Sequence, residues 1–168
     1  PKIENNIYVD LNKDQMELYA AQVKKTKEEF EQIVAEQGFQ AARFKILQLL
    51  TRLRQICIDP NIIFENYNKE SSKITQLVNI VKEIVSNNHK ILIFTSFKTA
   101  LDIVNQKLNN EKISTYVIDG SVSSKKRMEL VNKFNNDDTN VFLITLKAGG
   151  TGLNLTSADV VIHMDLTT

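Results

Sequence analysis

Of the five glycines in this chain, three fall within four positions, Gly149, Gly150 and Gly152, in the stretch VFLITLKAGGTGLNLT that begins at Val141. Glycine lets the backbone reach positive φ and lets another molecule approach closely. Successive N–H groups in such a turn form a concavity that holds anions. Lys147 adds a mobile positive charge, and Thr145 and Thr151 add hydroxyls. Together these residue types suit phosphate binding, and they equally suit a tight turn that serves only the fold. The segment is not a P-loop, because its lysine precedes the glycines and the G-x-x-x-x-G-K-[ST] order is absent.

Two other stretches offer similar chemistry. DGSVSSKKRMELVNKF, from Asp119, holds Gly120 for a turn, Ser121, Ser123 and Ser124 as donors, and Lys125, Lys126 and Arg127 at a helix start. Basic side chains are unfavourable at a helix N-terminus. Their placement there points to an anionic partner, or else to a solvated basic turn. FTSFKT places Thr95, Ser96 and Lys98 together; Ser96 either faces the same partner or caps the helix that follows. Phe97 is the one aromatic in these loops, so base stacking is not suggested.

The elements that must carry these stretches follow from periodicity. KIENNIYVDL alternates around Ile7 and Val9, which predicts a strand. Asn12 with Gln15 three residues on forms a capping box for a helix running to about Glu36. After Gly38, a second helix carries Phe39, Ala42, Ile46, Leu49, Leu53 and Ile56, and Pro60 ends it. A polar loop fills 60–70. From Ser71 the texture changes: Ser72 caps a helix, and the apolar runs KILIFTS, TYVID, VFLIT and DVVIHMD then alternate with helical patterns. Short continuous apolar runs are typical of strands covered on both faces. Their alternation with helices predicts an open α/β unit with a parallel sheet from residue 71 onward, preceded by a mostly helical appendage over 1–70. Ligands gather at the carboxyl ends of such strands, where all three stretches lie.

Composition is that of an ordinary soluble domain, with 42% hydrophobic and 24% charged residues. No apolar run approaches the ~18 residues of a membrane span. No signal peptide opens the chain, and Pro1 suggests a piece of a longer protein. Cys57 is the lone cysteine, which excludes an intrachain disulfide, fits a reducing cytoplasm and, with distant His89 and His163, argues against a zinc site. In its apolar helical setting Cys57 is expected to be a buried thiol. The net charge of +1 says nothing of partners, so any nucleic-acid site must be a local patch.

In this order, KILIFTSF, YVIDGSVSSKKR and VFLITLKAGGTGLNLTSADVVIHMD resemble the fourth, fourth-a and fifth motifs of Swi/Snf-family ATPases of helicase superfamily two. LLTRLRQICIDP, ending at Pro60, and SSK at 71–73 resemble the family's signature ahead of its second RecA-like lobe. The resemblance covers nearly the whole chain. It implies a RecA-like open parallel sheet with flanking helices, truncated before the last helicase motif, and a DNA-dependent ATPase that moves on duplex DNA and remodels protein–DNA complexes. It places Thr145 and Lys147 against the DNA backbone, with Ser96, Gly120 and Arg127 on the DNA side or its support. Gly150, Gly152 and Asn154 fall near the nucleotide, and Gly149 lets the loop pass close to the cleft. Leu50, Leu53, Ile56 and Cys57 become packing residues of a helical protrusion. ATP and Mg²⁺ would be bound mainly by a first lobe of the same chain, which is the other implied partner besides duplex DNA; no membrane is implied. The Lys/Asn/Ile-rich composition points to an AT-rich bacterial genome, hence a cytoplasmic, nucleoid-associated protein.

The departures are specific. The chain holds no Walker A loop and no Asp-Glu box, the arginine fingers are expected beyond Thr168, and HMDLTT lacks the usual Trp-Trp-Asn continuation. The 168 residues alone are therefore expected to be catalytically inactive. Two alternatives stand beside this reading. RNA helicases usually carry aspartate where Asn154 stands and lack the LRQIC helix; a non-enzymatic α/β module would bind a phosphorylated small molecule.

Overall fold

The computed structural model describes residues 3–149 and 153–165, and the chain divides into two units, Pro1–Gln76 and Leu77–Thr168. In the first unit, residues 3–12 form no strand, contrary to their alternating pattern. Period-two alternation makes a strand only where a neighbour accepts its ladder bonds. Among the described residues none does, and Tyr8 is 89% exposed. Helix α1 (Lys13–Gln37) starts with the predicted capping box: the Asn12 side chain accepts from the Gln15 N–H at 2.9 Å, and the Gln15 side chain accepts from the Asn12 N–H at 3.4 Å. Gly38, at φ +90°, breaks α1 from α2 (Phe39–Ile58). The two helices pack together, with Phe30 and Phe39 edge to face at 6.2 Å. α2 gives way to a 3₁₀ turn, Pro60–Ile62, with Asp59 capping the Asn61 N–H at 2.9 Å.

The α2 stripe is only partly interior. Leu53 and Ile56 are buried, as expected of packing residues, while Leu50 is 52% exposed and Cys57 only half-buried. Burial still pushes the Cys57 thiol up from its ordinary range. Gln15 is wholly buried. Its amide donates to the Ile56 carbonyl (3.0 Å), and its oxygen accepts from the Ser72 N–H (3.1 Å). One side chain thereby ties the start of α1 to the end of α2 and the start of α3 (Ser72–Ser86).

The second unit alternates β1 (Ile91–Thr95), α4 (Lys98–Asn110), β2 (Thr115–Ile118), α5 (Ser124–Asn136), β3 (Val141–Thr145), α6 (Leu146–Gly149) and β4 (Val160–His163). All strand pairs are parallel, in the order β2-β3-β1-β4. β3 is buried along its whole length, as its unbroken apolar run predicts. On one face Leu92, Ile118, Phe142 and Ile144 meet Val131 and Phe134 of α5, with Phe134 edge to face on Phe142 at 5.2 Å. Lys90, just before β1, donates to the Phe134 and Asp137 carbonyls at the end of α5 and lies 4.0 Å from the Phe134 ring centre. A cation there complements the negative end of the helix.

Candidate nucleic-acid interface

The strand order puts the carboxyl ends of β2, β3 and β1 side by side, with the glycine-bearing segment in the middle. At the ~4.8 Å spacing of neighbouring strands, this edge spans about 10 Å. Thr145, paired in register with Thr95, is the last residue of β3 and is largely buried. After it the chain forms the helical turn α6, where an open loop was expected. Lys147 is exposed on that turn and has no ion pair among the described residues. Gly149 sits tight on the sheet: a Cβ there would fall 2.7 Å from Phe94 Cε1 and 3.3 Å from Ile144 Cγ2. Phe94 has little room to yield, being stacked on His163 at 5.3 Å. This glycine is therefore required by close packing. Gly150, Thr151 and Gly152 lie outside the described residues. Asn154 is exposed, and its carbonyl accepts from Asn135 Nδ2 at 2.9 Å. Asn135 also accepts from the Ser157 N–H at 3.2 Å, so this α5 residue shapes the 154–157 loop. The sequence gives no signal for it beyond an asparagine in an Asn-rich turn.

At the end of β2, Asp119 accepts from the Ser121 N–H (2.7 Å) and hydroxyl (2.5 Å). Those two bonds hold its carboxyl below the usual carboxylate range, with smaller help from Lys98 and Arg127. Lys98 Nζ lies 4.0 Å from Asp119 Oδ2. Arg127 donates to the Val122 carbonyl at 3.0 Å and to the Asp119 carbonyl at 3.5 Å, clasping the turn between β2 and α5. Ser123 caps α5 by accepting from the Lys126 N–H at 3.2 Å. Gly120 is exposed with nothing within 4 Å of where a Cβ would stand, which leaves the turn open above. Lys125 is exposed and unpaired among the described residues, while Lys126 meets Glu129 at 3.6 Å.

At the end of β1, Ser96 is not the cap of α4; the N-cap is Phe97, which makes no side-chain cap bond. Ser96 instead donates its hydroxyl to Asp165 Oδ2 at 2.5 Å and its N–H to Asp165 Oδ1 at 3.0 Å. Thr95 Oγ1 donates to the same carboxylate at 2.8 Å. Asp165, nearly buried beyond β4, was not among the residues singled out from sequence. Its partners lie about seventy positions away, and only the strand before it hinted at its place. The edge thus keeps Asp119 and Asp165 hydrogen-bonded while Lys98, Lys125 and Lys147 stand exposed, a surface suited to phosphates.

Comparison with known proteins agrees with this architecture. Residues 72–168 match the helicase conserved C-terminal domain family. The chain is 36% identical, over 98% of its length, to an uncharacterized ATP-dependent helicase of Mycoplasma genitalium, of which it spans 16%. It is 33% identical, again over 98%, to a putative ATP-dependent helicase/translocase of Bacillus subtilis, of which it spans 18%. Among solved structures, the Sulfolobus solfataricus SWI2/SNF2 ATPase C-terminal domain superposes with a TM-score of 0.86 at 31% identity, covering 98% of this chain and 72% of that one. The ATPase core of that organism in complex with dsDNA superposes with a TM-score of 0.85 at 28% identity, covering 97% of this chain and 35% of that one. Four parallel strands in this order, the helical pair ahead of them and these matches lead to one assignment: the chain belongs to the helicase conserved C-terminal domain family and is the second RecA-like lobe of a SWI2/SNF2-family ATPase.

Proposed function

We propose that this lobe is part of a DNA-dependent ATPase that couples ATP hydrolysis to movement on duplex DNA and the remodelling of protein–DNA complexes. The observation that carries the reading is the row of adjacent strand ends bearing exposed Lys98, Lys125 and Lys147 above bonded carboxylates. A structural neighbour bound to dsDNA supports duplex DNA as the partner. Family membership favours DNA over RNA. Lys147 is the phosphate contact of the edge, Gly120 keeps it open, and Arg127 braces it. The nucleotide approaches Gly150, Gly152 and Asn154; the Asn154 carbonyl accepts from Asn135 of α5. ATP and Mg²⁺ would be held mainly by a first lobe of the same protein. Closure of the two lobes on ATP then shifts the grip along one phosphate backbone. Bound to DNA, the protein resides in the nucleoid.

The test is Lys147→Ala in the full-length protein. Duplex binding should weaken, the slope of log K against log salt should fall by about one unit, and DNA-stimulated ATPase should drop more than basal ATPase. An unchanged slope with normal stimulated turnover would sink the assignment.

A further inference from the structure

Three donors at the end of β1 converge on one carboxylate beyond β4. Thr95 Oγ1 and the Ser96 N–H reach Asp165 Oδ1 at 2.8 and 3.0 Å, and Ser96 Oγ reaches Oδ2 at 2.5 Å. A phosphate oxygen, like a carboxylate, accepts hydrogen bonds. Ser96 has two donors to offer, and both are engaged by Asp165. While that contact stands, Ser96 has none left for a DNA phosphate, despite its exposed position. It serves as a strut between two strand ends. The strut continues into α4. The Phe97 N–H donates back to Thr95 Oγ1 at 3.3 Å, Lys98 opens the helix, and its ammonium lies 4.0 Å from Asp119 at the end of β2. One line of polar contacts therefore runs from beyond β4 through the end of β1 to the end of β2, passing over β3.

We infer that Asp165 is a positioning residue of the DNA-facing edge. It fixes the turn between β1 and α4, so that Lys98 stands beside Lys147 where a phosphate backbone passes. Ser96 acts through Asp165 and makes no contact with DNA. This rests on the reading of the edge as a duplex-DNA surface.

The electrostatics set up a test of sign. Removing a negative charge beside a DNA site tightens binding if charge alone matters. Loss of positioning weakens it. In the full-length protein, duplex affinity is measured by fluorescence anisotropy across a salt series for Asp165→Asn, Ser96→Ala and Lys147→Ala, with thermal midpoints as a check on folding. Asp165→Asn is expected to weaken binding several-fold and to flatten the salt slope by about one unit as Lys98 leaves its phosphate. Ser96→Ala, a neutral change at an exposed site, should act in the same direction, and Ser96→Thr should restore binding. The double variant should be no weaker than the weaker single one, since both remove one contact. If Asp165→Asn does not fold, Ser96→Ala and its rescue carry the test. Binding that is unchanged or tighter in Asp165→Asn and Ser96→Ala, or a thermal shift with an intact slope, overturns the inference, provided that Lys147→Ala still lowers the slope. An intact slope in Lys147→Ala overturns the DNA surface itself.

Discussion

Ser121 gives Asp119 both a hydroxyl and a backbone N–H, which is why that carboxyl ionises more readily than usual. A folded carboxyl that titrates below its unfolded value of about 3.9 stabilises the fold fully at neutral pH. That contribution is lost as the pH falls through the folded value. Ser121→Ala removes the largest cause of the shift. The Asp119 titration midpoint, followed by NMR, should rise toward the ordinary value, and acid destabilisation should begin at higher pH; an unmoved midpoint would contradict the account. Gly149 is a second single-residue case. Gly149→Ala drives a methyl into Phe94, which overpacking places at about 1–3 kcal/mol. Denaturant midpoints should show this loss, and Phe94→Leu in the same chain should relieve part of it. At this scale the sequence is legible where a residue's type states where it sits, as with Lys147, which the structure leaves exposed. It is not legible where the role depends on a distant partner, as with Asp165, or on how close a backbone lies, as with Gly149.

The capping box at Asn12 and Gln15 was legible because both of its ends lie within one helical turn. What followed from it was not: the same Gln15 amide also serves Ile56 and Ser72, a junction assembled by packing. Gln15→Leu leaves buried backbone groups without partners, at about 1–3 kcal/mol. It should therefore lower the helical melting midpoint more than Ala at exposed Glu17 does; an equal effect would show that the junction is dispensable. The strand expected at Ile7 and Val9 failed for a related reason. Alternation describes which face of a strand is apolar, and it cannot supply the neighbour that makes a strand. The helical turn α6 was missed because glycines suggested a loop, and four residues carry too little periodicity to say otherwise.

For the molecule as a whole, the parallel sheet was readable because its central strands β1 and β3 are buried almost throughout and its strands alternate regularly with helices. The chain holds no phosphate-cradling Walker loop and no Asp-Glu box. Phosphoryl transfer needs such parts, and an arginine finger alone is worth about 10³–10⁵ in rate. The 168 residues by themselves should thus release no phosphate from ATP above background, with or without duplex DNA. Robust DNA-stimulated release by the pure chain would show that the catalytic parts have been misplaced. One further consequence concerns mechanics. β3 is hydrogen-bonded to a strand on each side, and Lys147 stands just beyond its end. A pull on that lysine along the strand axis is resisted in shear, by both ladders at once. The same pull on β2, which has one neighbour among the described strands, is resisted in shear by a single ladder. In the proposed motor, traction on DNA at Lys147 is rooted in a strand held by two ladders, so the tug of the duplex is shared between them.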